Sequence, residues 1–581
     1  MNSPGLTLSS DLVGRIIRVL AIGLIVGGLA SLLAVAFIES VKLLNNQLFV
    51  STTSREAFSE NPSLKWLSVL ILTTAGLVVG LLLNHGKMDR PRNPSDVILA
   101  AQSKLQCSKL SFKDGLINYL SSIISLGAGA SMGQYGPIVH MGATLGNWLN
   151  RVAKTEVNIA IGCGVAAGIA TAFNAPIAGV LFAHEVILRH YSLRAFAPIT
   201  VASSVGYYLS NHVFNYPPLF QLSQLEVKFA PEFFMFVLIG VIGALVAVAF
   251  MRIILVSQQQ VEKLNIPITL KPMLAGFALG VFALQVPEVL GIGGDLLQNV
   301  VNQANHSIGQ LSALLLAKIA ATALCISFGL AGGVFSPALL IGVLFGALFG
   351  EITDLFMPEH SAIGIYAICG MAAISSPIIG APLTSILIVF ELTRSYELTT
   401  AVMASVVFSN VVAYRLFGRS LFDYQLKARG YDLSDGHDQL MLSLKSVGEL
   451  TQRATSVISP TTTLFEARQL LTQNNNTIAY VVDQDEQYLG AVDINRILKL
   501  EALIDIRVAQ ARHQLLENVL TLDSELSLWE AMNTIGNFVG ESLPVINSSS
   551  GTLQGVIVET DLINAYMSYM KAERAEEHAG V

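Results

Sequence analysis

Charge is scarce in this chain: Asp, Glu, Lys and Arg together make up only 13% of its 581 residues. A soluble domain carries about 25%, so a soluble enzyme of this size is excluded. Cysteine is scarce too, and Cys107, Cys163, Cys325 and Cys369 show no CxxC spacing. That pattern excludes a zinc site and a disulfide framework, so no metal is expected. From Lys445 onward nothing basic and aromatic is interleaved and acidic residues prevail, so no nucleic-acid partner is expected. Neither an activated nucleophile nor a phosphate-binding loop is present, so the chain is not read as an enzyme.

Apolar length takes the place of charge. Mean hydropathy is +0.59, and apolar runs include Val19–Ile38, Leu67–Leu83, Ile159–Ala183, Phe233–Phe250, Met273–Val286, Leu311–Leu330, Val334–Phe349 and Ala401–Phe417. An upright helix needs about 20 apolar residues to cross a bilayer. Several runs are shorter, and glycine or proline interrupts others, so broken and tilted helices inside a membrane protein are expected. The first run follows Arg15 and Arg18 and is too long for a signal-peptide core. It reads as a retained helix with a cytoplasmic N-terminus, and the basic loop His85–Arg92 belongs on the same side.

The composition breaks near Lys427 to Asp438. From Lys445 onward there are 18 acidic against 9 basic residues, a larger negative balance than the −7 of the whole chain. The tail is therefore an acidic, soluble domain appended to a slightly positive membrane domain.

Within the apolar part the sequence is duplicated. Gly129, Gly133, Pro137, Gly142 and Gly146 recur without a gap as Gly329, Gly333, Pro337, Gly342 and Gly346. Each copy predicts a glycine-rich turn running through a proline into an apolar helix. Unpaired backbone N–H groups at such a helix start attract anions. Downstream, FNAPIAGVLFAHE (173–185) is answered by GAPLTSILIVFE (380–391), with a glutamate nine residues after the proline in both. Internal duplication in an apolar chain points to a transporter with its site between the halves.

The tail repeats as well. Segments starting at Ser459 and Leu522 each read helix, strand, strand, helix, with strands at Ala479–Val482 and Pro544–Ile546 and glycine-led strands at Gly490 and Gly555.

Together these residues resemble the CLC family of chloride channels and proton-coupled chloride exchangers, followed by a pair of CBS modules. The family's GxEGP, GxFxP and Ala-Pro motifs stand here as GQYGP (133–137), GVFSP (333–337) and NAPIAGVLFAHE (174–185). The resemblance implies an α-helical polytopic membrane domain of two inverted repeats at 1–430. An α/β CBS pair follows, with modules at 440–500 and 511–570. It further implies a homodimer in membrane lipid, in a bacterial inner membrane, with the CBS pair cytoplasmic and chloride or a similar monovalent anion as substrate. The anion and pore residues it implies are Gly133, Tyr135, Gly136, Val334, Phe335, Phe422 and Pro91.

Several of these depart from the family. Tyr135 occupies the place of the gating, proton-carrying glutamate, and free tyrosine titrates near ~10, too high to exchange protons at neutrality. Tyr135 is thus expected to gate or to ligate. Val186 occupies the exchangers' second proton-relay position, and Glu185 matches the structural glutamate before it. Phe422 replaces the ligating tyrosine. Pro91 in RPRNP (90–94) replaces the ligating serine, which is similar to members that prefer nitrate. His140 and His184 are the alternative proton carriers. In the CBS pair, Asp561 matches a nucleotide-binding aspartate six residues after Gly555, but Arg496 stands at the same place after Gly490; adenine nucleotide at the CBS pair is a weak expectation. The function expected is passive conduction of chloride through backbone N–H groups. The alternatives are anion/proton exchange, selectivity for bicarbonate, nitrate or fluoride, and a non-transporting CBS-linked sensor.

Overall fold

The computed structural model describes residues 10–48, 62–102, 110–153, 156–216, 229–302, 306–357, 361–431, 442, 445–500, 505–511, 516–517, 520–535 and 542–578. They fall into two units, Met1–Arg429 and Gly430–Val581. Cys107 and the polar segment 51–61 lie outside the described residues.

The first unit is helical. Its first half comprises α1 (Ser10–Gln47), α2 (Pro62–His85), α3 (Pro94–Gln102), α4 (Phe112–Gly127), α5 (Tyr135–Ala153), α6 (Val157–Phe173), α7 (Pro176–Phe182) and α8 (Leu193–Tyr208). The second half comprises α9 (Phe229–Lys263), α10 (Lys271–Ala283), α11 (Gly294–Asn302), α12 (Ile308–Ser327), α13 (Phe335–Asp354), α14 (Ile363–Ile379), α15 (Pro382–Thr393) and α16 (Tyr396–Phe417). Among the described residues each helix of the first half thus has a counterpart in the second, and the short α17 (Leu421–Ala428) follows. Among the described residues six helices are long and apolar enough to cross a membrane. Others are short: the 17 residues of α6 and of α14 rise only ~26 Å, less than a ~30 Å hydrocarbon core. Such helices keep their polar ends inside protein rather than lipid.

Glycine sets the spacing of the central helices. A Cβ on Gly142 or Gly146 of α5 would lie 2.4 Å from the Gly164 carbonyl oxygen or 2.1 Å from that of Ala160 on α6. The second half repeats this, with Gly342 against Gly370 and Gly346 against Tyr366 across α13 and α14. These four glycines of the duplicated motif therefore serve backbone-to-backbone packing. Left-handed residues end the inner helix of each half: Asn174 at φ 58° after α6 and Gly380 at φ 77° after α14. Each turn leads into an Ala-Pro pair, where Pro176 or Pro382 opens the next helix at the position proline tolerates best.

In the second unit, β1 (Val457–Ile458), β2 (Ile478–Val482), β3 (Tyr488–Asp493) and β4 (Leu516–Glu517) form one sheet; β5 (Leu522–Asp523), β6 (Ser542–Ile546) and β7 (Leu553–Val558) form another. Helices Leu464–Asn474 and Leu528–Ile535 precede the paired strands, and Ile494–Lys499 and Glu559–His578 follow them. The helix–strand–strand–helix order read from the sequence is present twice. The second strand of each pair begins two residues before its glycine, because Gly490 and Gly555 sit within the ladder opposite Val481 and Val545. A capping box of Thr463 and Glu466 opens the first helix, and hydrogen bonds from Thr463 hold the Glu466 carboxyl below its usual range.

Each module is completed by the segment leading into the other. Leu442 and Val447 pack in the core with Leu522, Leu528 and Ile557, while Val508 and Ala511 pack with Ile458, Leu464 and Val492. The boundaries 440–500 and 511–570 therefore follow the chain, whereas the packing crosses over.

Candidate functional site

The two glycine-rich motifs meet at one point. Gly133 and Gly333 form an antiparallel bridge in which each N–H donates to the other's carbonyl oxygen at 2.7 Å. Helices α5 and α13 begin two residues further on, at Tyr135 and Phe335, so their N-termini start side by side. The first N–H groups of each helix have no intrahelical acceptor, and the helix dipole makes that end positive.

Beside this bridge lies a small cavity of about 10 Å³, room for roughly one water-sized particle. Pro94, Tyr135, Gly136, Val139, Phe182, Val334, Phe335, Ile379 and Phe422 line it. Four helix starts reach it: Pro94 is the first residue of α3, Tyr135 of α5 and Phe335 of α13, and Phe422 is the second of α17. Among the described residues no charged side chain lines the wall. A small anion there meets apolar side chains, helix N-termini and the Tyr135 phenol, a neutral site suited to backbone coordination.

Tyr135 is 2% exposed. Its ring stacks on Phe173 at 3.9 Å between centroids and packs against Phe335 at 5.2 Å; Phe182 lies 6.3 Å beyond Phe335. The phenol thus belongs to a cluster of aromatic rings. Sequence reasoning named Tyr135 and Phe335 but missed Phe173, Phe182, Val139 and Ile379. The duplication held a signal for two of them: Phe173 and Ile379 are the last residues of α6 and α14, each preceding the left-handed cap.

Of the remaining sequence-predicted positions, Gly136, Val334 and Phe422 line the cavity, and Gly133 forms the bridge. Pro94, at the start of α3, reaches the cavity wall, while in the turn before it the Pro91 ring lies 3.9 Å from the place of a Cβ on Gly329. Val186 is buried in a π-helical turn, Ala183–Leu188, that continues α7. His140 follows cavity-lining Val139, and its Nδ1 is buried without a partner among the described residues.

The two helix-end glutamates face each other's repeat. The Glu185 carboxylate accepts from the N–H groups of Leu383 and Thr384, both at 2.9 Å, and from the Thr384 hydroxyl at 2.7 Å. Glu391 accepts from Ile177 and Ala178 N–H at 2.9 and 2.8 Å. Each thereby satisfies the first amides of the opposite short helix. The basic loop is also engaged: Arg90 pairs with Asp96 at 2.7 Å, Arg92 with Asp114 at 3.3 Å, and Arg429 joins Asp96 at 3.1 Å.

In the CBS-like unit, Asp561 accepts from the Gln452 side chain at 2.9 Å. The matching Arg496 offers no carboxylate, and Asp493 is spent capping Ile494–Lys499 through the Asn495 N–H at 2.6 Å. Of the two matched places, only that of Asp561 therefore carries a carboxylate.

This arrangement defines an integral membrane protein of two inverted helical repeats whose broken helices converge on a small apolar cavity, followed in the chain by an α/β pair. The family described as voltage gated chloride channel matches residues 75–414, more than half of the chain, and the CBS domain matches 447–502 and 514–568. The chain belongs to that chloride channel family. It is 27% identical over 579 residues to chloride channel protein CLC-f of Arabidopsis thaliana, covering 94% of this chain and 69% of that one. It is 27% identical over 422 residues to the H(+)/Cl(-) exchange transporter ClcA of Salmonella agona, covering 70% and 87%. The fold is similar to that of a slow cyanobacterial Cl-/H+ antiporter, with TM-score 0.63 and 22% identity over 71% of this chain and 98% of that one.

Proposed function

We propose that this protein carries chloride, or a similar small monovalent anion, across a membrane passively and without coupled proton transfer. One observation carries the reading: among the described residues the cavity wall holds no carboxylate, and Tyr135 is its only ionisable side chain. An exchanger needs a group that alternates protonation with anion occupancy near neutral pH, and phenol is a poor candidate. Glu185 and Glu391 are engaged as helix caps, which removes the two acids of the duplicated motif from that task. Val186, a hydrocarbon, cannot relay a proton.

The anion is held by backbone N–H groups at the starts of α5 and α13, near Tyr135, Gly136, Val334 and Phe335. Its own electrochemical gradient drives it. By resemblance the protein works as a homodimer in a bacterial inner membrane, with the N-terminus and the CBS pair on the cytoplasmic side. The pair acts as a structural clamp rather than a nucleotide receptor.

The test is anion flux from proteoliposomes under an imposed chloride gradient, followed with a chloride electrode and a pH electrode together. Chloride efflux with proton movement at background is expected. Uphill proton transport driven by the chloride gradient overturns the reading in favour of exchange. The unpartnered His140 Nδ1 beside Val139 is the observation that favours such an alternative.

A further inference from the structure

Both side-chain hydroxyls that the family resemblance leads one to expect around the anion are missing, since Pro91 and Phe422 stand in their places. A different hydroxyl lies at the convergence of the repeats. Ser336 is the second residue of α13, is 4% exposed, and its Oγ has no hydrogen-bond partner among the described residues. A buried hydroxyl is almost always paired, and leaving one unpaired is unfavourable.

Its position is defined by the glycine bridge. A Cβ on Gly133 would fall 2.7 Å from Ser336 Oγ and 2.8 Å from Ser336 N. The hydroxyl therefore faces the bare side of Gly133, next to the start of α5. On the pseudo-equivalent side, the bare face of Gly333 meets the Gly136 backbone N at 2.9 Å. Glycine stands there where the other repeat has serine, so the hydroxyl occurs once. The cavity is lined by Val334 and Phe335, whereas Ser336 faces the bridge.

We propose that Ser336 Oγ donates a hydrogen bond to a permeating monovalent anion at the Gly133–Gly333 bridge, a coordination point adjoining the aromatic-lined cavity, and that this donor sets the protein's affinity for small anions. The helix starts of α5 and α13 supply positive potential there, and the hydroxyl supplies a directed donor to an acceptor-only ligand. Together they make up for the two absent hydroxyls. The inference rests on the anion-conducting reading above.

Full-length protein in detergent, titrated calorimetrically with sodium chloride, sodium bromide and sodium nitrate, tests it. Ser336→Ala should bind chloride roughly tenfold more weakly, the loss of one hydrogen bond to a charged group. Ser336→Thr, which keeps the donor, should retain wild-type affinity. An unchanged chloride affinity in Ser336→Ala, or an equal loss in Ser336→Thr, overturns the assignment of the hydroxyl. Wild-type protein that neither binds nor moves any of the three anions overturns the transport reading itself, a result distinct from a binding wild type with an unaffected Ser336→Ala.

Discussion

Glu185 and Glu391 cap each other's helices: Glu185, four residues before the left-handed Arg189, binds the first amides of α15, and Glu391, three before the left-handed Arg394, binds those of α7. The exchange ties the two repeats together through charge-assisted hydrogen bonds to backbone N–H groups. A carboxylate in apolar surroundings is costly unless such donors surround it, which is why the motif's acid recurs at the same place in both halves.

Glu185→Gln and Glu391→Gln each replace one accepting oxygen with an amide that points a donor at a donor. Each should lower stability by about 1–3 kcal/mol and leave flux per folded protein near wild type. Thermal unfolding in detergent beside liposome flux measures both. Lost flux at unchanged unfolding temperature would assign the glutamates to conduction instead.

The shared glycines of the duplicated motif divide into two roles, and substitution separates them. Gly333→Ala puts a Cβ 2.9 Å from Gly136 N and 3.1 Å from its Cα, so the bridge must open and the helix starts must part. Flux should fall steeply while much of the fold survives. Gly346→Ala instead meets the Tyr366 carbonyl oxygen at 2.2 Å and should reduce the yield of folded protein, because α13 and α14 can no longer approach. Equal loss of folded protein in both variants would count against a special role for the bridge.

Much of this architecture was legible because the repeat is written in residues whose backbone roles are restrictive. Glycine at matched positions, proline at helix starts and a glutamate nine residues later fix turns, caps and helix entries, and those are the parts found where expected. The aromatic cluster was less legible. Phe173 and Phe182 look like any apolar residue on a buried helix, and only the folding back of α6 and α7 brings Phe173 to Tyr135 and Phe182 to Phe335. Ser336 was hidden for a similar reason, since its hydroxyl gains meaning only from the bare face of Gly133, 203 positions earlier. In the tail the exchange of Leu442 and Val447 for Val508 and Ala511 between modules is a tertiary choice, without a periodic signature along the chain.

The CBS pair should bind adenine nucleotides weakly or not at all. Asp561 is engaged by Gln452, and the matching place carries Arg496, so a nucleotide finds at most one carboxylate. Calorimetric titration of the full-length protein with ATP and with AMP should show no saturable heat. A micromolar dissociation constant abolished by Asp561→Ala would replace the clamp with a receptor.

Tyr135 decides between gating and ligation, because its ring and its hydroxyl do different things. The ring stacks on Phe173 at 3.9 Å and leans on Phe335, contacts worth ~0.5–1.5 kcal/mol each beyond their burial, so closing the cavity needs the ring alone. Tyr135→Phe keeps that stack and removes the donor; Tyr135→Ala removes both. If the ring is the gate, flux should stay near wild type in Tyr135→Phe and rise in Tyr135→Ala, as an apolar constriction widens and wets. If the hydroxyl ligates the anion, Tyr135→Phe should already weaken chloride binding several-fold, because a hydrogen bond to a charged group is lost. Chloride flux and calorimetric affinity on the same preparations separate the two outcomes. Proton movement should remain at background in all three proteins, since none of these side chains titrates near neutrality; proton coupling that appears in wild type and vanishes in Tyr135→Phe would make the phenol itself the proton carrier.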